Sequence, residues 1–288
     1  MEKRINTAFG NDLTTLAAQF LIGTSVGSGI YVHHGTNIYF CTARHVVFRE
    51  SKVKNKLSFS ALANQARVKS YSIDSKFQVH DELELDIQKL FETGKISTSP
   101  NIDLCIITVA NVVKGKLKLI PGISCISKNL NLNVASSSMV KSAKKIEAGE
   151  EAYVIGYPKA LAQFRPDKPL YNYELPLVRK GIISSMNDYK TFVVDCAVYG
   201  GNSGGPVFVA ENIISIKDDK VEVKTFRHLV GIVSKYVPLL NMTASTKSNI
   251  TGSHSVTPHL ENSGYGICIS FDIIEKELKK IAAKKANA

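Results

Sequence analysis

GNSGGP, at residues 201–206, is the most informative stretch of this 288-residue chain. Glycines allow a backbone to turn tightly and leave a side-chain oxygen and neighbouring N–H groups directed at one point. Acyl transfer needs this arrangement, because the nucleophile must lie beside hydrogen-bond donors for the oxyanion that its attack creates. A cluster of Gly, Ser and Asn is also typical of an ordinary loop. The choice depends on whether the chain carries the partners that a serine nucleophile requires.

The first partner is a base, and His45 is the best candidate. Residues 37–47 read NIYFCTARHVV, a run of β-branched and aromatic residues that is typical of a strand, and His45 follows small residues at its end. A lone histidine is more often structural or solvated than catalytic. Two other histidine pairs, at 33–34 and at 254 and 259, lack the spacing to cysteines or carboxylates that a metal site needs.

The second partner is a carboxylate that orients the base. Asp103 opens the apolar strand NIDLCIITV at residues 101–109, where a buried acid is costly unless it is paired, and an imidazole N–H would pair it. Asp81 and Asp86 are nearer to His45 in sequence. They lie in the acidic stretch HDELELD at residues 80–86, which we expect to be exposed, so Asp103 is the better candidate.

The order His45, Asp103, Ser203, with TARHV, DLCIITV and GNSGGP around these residues, resembles the chymotrypsin-like (trypsin-fold) serine peptidases. The resemblance covers nearly the whole chain and is closest to bacterial peptidases of the high-temperature-requirement (Deg) type. It implies an all-β fold of two six-stranded antiparallel Greek-key β-barrels with a short C-terminal α-helix. Further similar segments are GSGI at 27–30, EEAYVIGYP at 150–158, DCAV at 195–198, LVGIVS at 229–234 and YGICISFDII at 265–274.

Two departures from the family limit the resemblance. Digestive trypsins carry an aspartate before the serine, which pairs with a newly cut N-terminus; here the residue is Asn202, so we expect no maturation through that salt bridge. We also expect no appended peptide-binding (PDZ) domain of the kind that Deg proteases carry.

The resemblance implies a role for each site residue. Ser203 attacks a peptide carbonyl, His45 accepts and returns the proton, and Asp103 fixes the imidazole tautomer. The N–H groups of Gly201 and Ser203 would hold the oxyanion. No metal ion and no organic cofactor is required.

Specificity is predicted from the residues before and beside the nucleophile. Alignment on Ser203 places the base of the primary specificity pocket at Ala197, flanked by Val198. The resemblance of LVGIVS to the family strand on which substrate backbone docks implies substrate binding at Ser234, Lys235 and Tyr236. Because no acid is present at the pocket base to pair with Lys or Arg, we expect cleavage after small or aliphatic residues. Alternatively, neighbouring loops set the pocket.

The domain boundaries follow from the motifs. We predict an N-terminal barrel at residues 1–128 with the histidine and aspartate, a polar connector at 129–144, and a C-terminal barrel with a terminal helix at 145–288. The helix should bury one face formed by Ile274, Leu278 and Ile281.

Two insertions stand out within these domains. We expect extra strands or a short helix between residues 49 and 100, and a mobile loop in the Ser/Thr/Asn-rich segment at 241–264.

The composition limits the possible partners and location. The net charge of +11 favours acidic partners, but the lysines are scattered and no nucleic-acid module is present, so we expect protein or peptide substrates. No segment is long enough to span a bilayer. Five cysteines scattered through strands indicate reduced thiols rather than a disulfide framework, so we expect a cytoplasmic, bacterial protein. The oligomeric state stays open.

Two alternatives to an active peptidase remain. The fold could serve as a catalytically silent binding or scaffold module. The chain could also be a latent peptidase whose oxyanion loop is ordered by a ligand or partner. The intact triad and turn glycines favour the active enzyme.

Overall fold

A computed structural model describes residues 3–6, 13–53, 56–71, 79–127, 130–159, 175–217, 220–245 and 255–286. The described residues are mainly β structure, with three α-helices. This agrees with the all-β fold and short C-terminal helix expected from the sequence.

The described residues of the N-terminal half form thirteen strands and two short α-helices. They are β1 (Lys3–Asn6), β2 (Ala17–Ile22), β3 (Ser25–His34), β4 (Asn37–Ala43), α1 (Arg44–Val47), β5 (Phe48–Val53), β6 (Lys56–Ala61), β7 (Gln65–Tyr71), β8 (Val79–Asp86), α2 (Ile87–Glu92), β9 (Ile96–Ser99), β10 (Ile102–Val113), β11 (Lys116–Leu119), β12 (Ile123–Cys125) and β13 (Leu130–Asn133).

Nine of these strands form one sheet, in the order β11-β10-β4-β3-β2-β7-β8-β12, with β9 also paired to β10. Leu117 on β11 and Ile123 on β12 lie at opposite ends of this order but share one core cluster, so the sheet is curled. The main sheet of this half therefore has nine strands, where the sequence led us to expect a six-stranded barrel. The region between His45 and Asp103 supplies three of them (β7, β8 and β9) and α2, which confirms the expected extra strands and helix.

The C-terminal half is a closed six-stranded barrel, as expected. Its strands follow the order β14-β15-β16-β19-β18-β17, and β17 closes the barrel against β14. The elements are β14 (Glu151–Gly156), β15 (Leu177–Asn187), β16 (Thr191–Asp195), β17 (Pro206–Lys217), β18 (Lys220–Ser245), β19 (Ser255–Ser270) and the helix α3 (Phe271–Ala286). Alternation directs residues such as Phe192, Val194 and Cys268 into the barrel core.

A third apolar cluster joins the two halves and carries the terminal helix. Tyr39 from the first half and Phe208 from the second lie in this cluster. Ile274 and Leu278 of α3 are buried in it and Ile281 packs against it, which confirms the predicted helix face. This shared core fixes the two halves against each other, and the candidate site draws its residues from both.

The acidic stretch at residues 80–86 was wrongly expected to be exposed. It forms most of β8, in which Asp81, Leu83 and Leu85 are buried, because alternate residues of the strand face the core.

The segment at 241–264 was likewise wrongly expected to be a loop. Its described residues, 241–245 and 255–264, continue β18 and β19, which pair with each other as far as Ser245 and Ser255. Residues 246–254 lie outside the described part. Residues 241–242 and 258–261 of these strands are exposed, so polar residues there are compatible with a strand.

The remaining expectations concern the thiols and the membrane. No disulfide joins the five cysteines, and burial raises the pKa of the Cys41, Cys105 and Cys268 thiols. Among the described residues, no helix has both the length and the apolar character required to cross a bilayer.

Candidate active site

Strand pairing brings His45 and Asp103 together. β4 leads into the single turn α1, which carries His45, and β4 pairs with β10 so that Ala43 lies opposite Leu104. Asp103 therefore lies beside the start of α1. Its Oδ2 is 2.8 Å from His45 Nδ1, and its Oδ1 accepts the backbone N–H of His45 at 3.0 Å. Two contacts from one carboxylate fix both the ring and the backbone of the histidine.

Ser203 completes the arrangement from the other half of the molecule. Its Oγ lies 3.0 Å from His45 Nε2. Because an ionised carboxylate can only accept hydrogen bonds, the Asp103 contact requires His45 Nδ1 to carry the proton. Nε2 is then free to accept the Ser203 hydroxyl. The structure thus brings together all three residues predicted from the sequence, in the chain order that the motifs indicated.

Asp103 is held in its charged form by the groups around it. Burial acts to raise the pKa of this carboxyl, but the hydrogen bond and charge of His45, the Ser234 hydroxyl and the His45 backbone N–H together lower it. Ser234 Oγ donates to Asp103 Oδ2 at 2.7 Å. Ser234 was predicted only as part of the substrate strand, and the structure gives its hydroxyl a partner in the triad. Lys235 and Tyr236, which follow it, are exposed.

Arg44 is a positioning residue that the sequence analysis missed. Its guanidinium donates to the Ser99 and Ile102 carbonyls, on either side of the turn before Asp103, and pairs with Glu50 at 2.9 Å. It also stacks over the Phe59 ring, 4.6 Å from the centroid. Arg44 thereby ties the histidine turn to the segment that carries Asp103. The only feature of the sequence that could have indicated this role is the position of Arg44, a cation at the end of an otherwise apolar strand.

Ser28 is a second residue whose role was missed. It is fully buried on β3, and its backbone N–H donates to the Ser203 carbonyl at 2.8 Å. Its hydroxyl donates to the Gly201 carbonyl at 2.7 Å and accepts the Tyr157 N–H at 3.0 Å. One serine from the first half therefore holds the turn that carries Ser203. GSGI was identified as a similar segment, but Ser28 contacts residues that are distant in sequence, so its role could not be predicted from the motif.

The turn at residues 200–205, here called the nucleophile turn because Ser203 is the candidate nucleophile, depends on glycine at two positions. Gly201 has a φ of +97°, and a Cβ placed there would lie 2.1 Å from the Tyr157 carbonyl oxygen. Gly204 has a φ of +86°, and its Cβ would lie 2.0 Å from the Ser28 carbonyl oxygen. No other residue type fits these backbone conformations and approaches. Gly200, which directly precedes Gly201, lies in open space, since no atom lies within 4 Å of a Cβ built on it.

Two peptide N–H groups beside Ser203 are available for a ligand. The Gly200 carbonyl accepts the Lys159 N–H, and the Asn202 carbonyl accepts the Gly205 N–H, each at 2.8 Å. In a trans peptide the N–H points opposite to the carbonyl, so the N–H groups of Gly201 and Ser203 point away from these partners. Within the described ranges, neither N–H donates to another backbone group.

Ala197 and Val198, the residues predicted to form the specificity pocket, lie in the segment between β16 and Ser203. Val198 is buried, and a Cβ on Gly266 would lie 2.5 Å from its Cγ2. The Ala197 carbonyl accepts a hydrogen bond from the Arg179 guanidinium, which lies 4.5 Å from the centroid of the Tyr199 ring. Arg179 was not predicted. It supports the segment between β16 and Ser203, and no ion pair to it occurs in the part of the chain that the structure describes.

Comparison with known proteins gives a family match. Residues 27–213, more than half of the chain, match the family described as trypsin-like peptidase domain. This range contains His45, Asp103 and Ser203. No curated protein sequence matches the chain.

Solved structures similar to the chain are proteases of low sequence identity. A serine endoprotease from Yersinia pestis is 15% identical, with a TM-score of 0.46, and the match covers 93% of this chain and 63% of that one. The HtrA-type protease AlgW with a tripeptide is 16% identical, with a TM-score of 0.48 and coverage of 93% and 60%. Deg5 is 14% identical, with a TM-score of 0.44 and coverage of 92% and 87%. The chain spans somewhat over half the length of the first two.

Proposed function

Because the chain belongs to the trypsin-like peptidase family, we propose that it is a serine endopeptidase that cleaves proteins or peptides through Ser203. The observation that carries the proposal is the continuous hydrogen-bonded line from Asp103 through His45 to Ser203, with contacts of 2.8 and 3.0 Å. Both distances lie within the range that proton transfer requires.

The reaction begins with attack of Ser203 Oγ on the carbonyl carbon of the scissile peptide bond. His45 Nε2 accepts the hydroxyl proton as the C–O bond forms, and Asp103 stabilises the imidazolium through Nδ1. His45 then gives the proton to the leaving amine, which leaves an acyl-enzyme on Ser203. A water molecule, activated by the same imidazole, hydrolyses this ester and restores the serine.

The oxyanion is stabilised by the N–H groups of Gly201 and Ser203 in this proposal. The support is their orientation, which follows from the engaged carbonyls of Gly200 and Asn202. A preorganised donor of this kind lowers the barrier by about 3–4 kcal/mol. The contacts of Ser28 and Arg179 with the same segment restrict its movement, which favours a formed site over a latent one.

Cleavage after small or aliphatic residues is the proposed specificity. Its support is the absence of a carboxylate at Ala197 and the apolar character of the neighbouring Val198. Digestion of a peptide library, with the cleaved bonds identified by mass spectrometry, tests this directly. Dominant cleavage after basic or acidic residues would show that other parts of the chain determine the pocket.

Fluorophosphonate labelling tests the proposed activity without knowledge of the substrate. The reagent modifies a serine only where a base and an oxyanion site activate it. We expect labelling of the native protein and none of the Ser203→Ala variant or of heat-denatured protein. Failure to label the folded native protein would contradict a formed catalytic site and would favour the silent or latent alternative. Labelling that appears only after a peptide is added would identify a latent enzyme.

A further inference from the structure

The outer parts of β18 and β19 form a two-stranded ribbon, here called the apolar ribbon, of residues 238–245 and 255–262. β17 pairs with β18 only as far as Ile232, and β16 pairs with β19 only from Tyr265 inward. Among the described residues, the two strands of the apolar ribbon therefore pair with each other and with no third strand.

One face of this ribbon is apolar and exposed. Leu240 lies opposite Leu260, and Met242 lies opposite Pro258, so their side chains share one face. Leu240 and Met242 are each 60% exposed, and Leu260 is 70% exposed. Asn241, opposite His259, lies on the other face. A patch of this kind marks an interaction surface, and an isolated two-stranded ribbon needs a third strand or a cover to be stable.

The edge of β18 connects this ribbon to the candidate active site. Val233 exchanges backbone hydrogen bonds with Gly204 and Gly205 of the nucleophile turn, at 2.7 and 2.9 Å. Ser234 follows and donates to Asp103. Beyond Ser234, no strand in the described part of the chain pairs with this edge of β18 as it continues into the apolar ribbon. Met242 is eight residues further on, which corresponds to about 26 Å of extended strand.

We propose that the apolar ribbon binds the part of the substrate that precedes the cleaved bond, as a third, antiparallel strand along β18. β18 runs outward from Ser234, so an antiparallel strand runs inward and delivers its C-terminal end to Ser203. Alternate side chains of this strand lie on the face of Leu240, Met242 and Leu260. The preferred substrate is therefore an extended polypeptide with alternating apolar residues over roughly eight positions before the cleaved bond. This inference rests on the proposed function.

A second exposed ribbon provides an internal control. Residues 211–217 of β17 pair with residues 220–226 of β18, and Ile214, Val221 and Val223 are 68%, 67% and 61% exposed. This control ribbon is also apolar and exposed but lies at the opposite end of β18 from the apolar ribbon. A strand that pairs with β18 from Ser234 outward runs away from the control ribbon, so changes in the control ribbon should not affect substrate binding.

Peptide binding to the Ser203→Ala protein tests the inference without catalysis. The probe is a fluorescent peptide of about twelve residues that alternates Leu with polar residues, and its partner carries Ser in place of each Leu. Fluorescence anisotropy should give at least about tenfold weaker binding for the all-polar peptide. Leu240→Ser with Met242→Ser should weaken binding of the apolar peptide by a similar factor. Val221→Ser with Val223→Ser in the control ribbon should leave it unchanged.

Other results would contradict either the ribbon proposal or the proposed activity. Equal binding by both double variants, or by both peptides, would overturn the inference. A ribbon variant that changes the sedimentation of the protein but not peptide binding would assign the surface to a second copy of the chain and would also overturn it. Fluorophosphonate labelling of the parent protein is measured in parallel. Ribbon-dependent binding without labelling would support the peptide site while contradicting the proposed activity, whereas labelling without ribbon-dependent binding would overturn the ribbon alone.

Discussion

Ser28 shows how a single buried hydroxyl can connect the two halves of the molecule at the nucleophile. The Ser28 hydroxyl donates to the Gly201 carbonyl and accepts the Tyr157 N–H. The Ser28 carbonyl accepts a hydrogen bond from the Thr42 hydroxyl at 2.6 Å. All of these groups are buried, so removal of the hydroxyl leaves partners that water cannot reach. Each orphaned group costs about 1–3 kcal/mol.

We expect Ser28→Ala to reduce kcat by about tenfold to a hundredfold through misplacement of the turn, with a smaller change in KM. The measurement is hydrolysis of a peptide substrate together with the rate of fluorophosphonate labelling. Ser25→Ala, a hydroxyl removed at the start of the same strand, is the matched control and should leave both rates near those of the parent. A Ser28→Ala protein with reduced stability but an unchanged labelling rate would show that Ser28 supports the fold and not the nucleophile.

At the scale of residues, the sequence predicted the triad because each member lies in its own local motif. His45 and Asp103 are 58 positions apart and Ser203 lies a further 100 away, so the prediction rested on the motif around each residue and on the roles that the three residues would share. Arg44 and Ser28 were not assigned roles, because what they do depends on atoms that only the fold brings near. Asp81 was misjudged for the same reason, since an acidic run suggests exposure until its alternate residues are found to face a core.

The nucleophile turn is the element on which the candidate chemistry most depends, and its glycines are not equivalent. Gly201 and Gly200 are adjacent, but only Gly201 combines a positive φ with a carbonyl oxygen 2.1 Å from its Cβ position. Gly201→Ala should therefore displace the peptide that carries the proposed oxyanion donor. Removal of one such donor costs about 10²–10³ in kcat.

We expect Gly201→Ala to abolish fluorophosphonate labelling on the timescale of the parent reaction, while circular dichroism shows a retained fold. Gly200→Ala, in open space, should be labelled at a rate within a few fold of the parent. Equal rates for the two variants would indicate that the turn can adjust and that the close approach to Tyr157 is not required.

Strands were easier to predict from the sequence than their ends and edges. The apolar runs around Ile106 and Val230 identified core strands, since a buried strand has little choice of residue type. The outer ends of β18 and β19 were taken for a loop, because exposed strand residues have no burial pattern and Ser, Thr and Asn are common in both settings. The nine-stranded sheet could not be counted in advance either, since short strands such as β9 and β12 are defined by their partners rather than by their composition.

The whole molecule depends on contacts between segments that are distant in sequence, and Asp81 lies at one of them. Its side chain is buried on β8, and its Oδ1 accepts the N–H of Asn131 on β13 at 2.7 Å. Burial raises the pKa of this carboxyl from 3.8 to about 7, although the Asn131 N–H acts to lower it. Asp81 thus links the first sheet to the start of the connecting segment, and its burial there raises the pKa of its carboxyl.

Between about pH 4 and about pH 7, the folded chain keeps the Asp81 proton while the unfolded chain has released it. Unfolding therefore releases a proton, and this contribution to the free energy of unfolding falls as the pH rises through that window, by at most about 1.4 kcal/mol per pH unit.

Asp81→Asn keeps an acceptor for Asn131 and cannot ionise. We expect the wild-type protein to lose stability relative to Asp81→Asn as the pH is raised from about 4 to about 7, measured by urea denaturation. Glu84→Gln, which removes a more exposed carboxyl from the same strand, should follow the wild-type pH dependence. A constant difference between wild type and Asp81→Asn across the range would mean that Asp81 is ionised in the folded protein and that its neighbours compensate the buried charge.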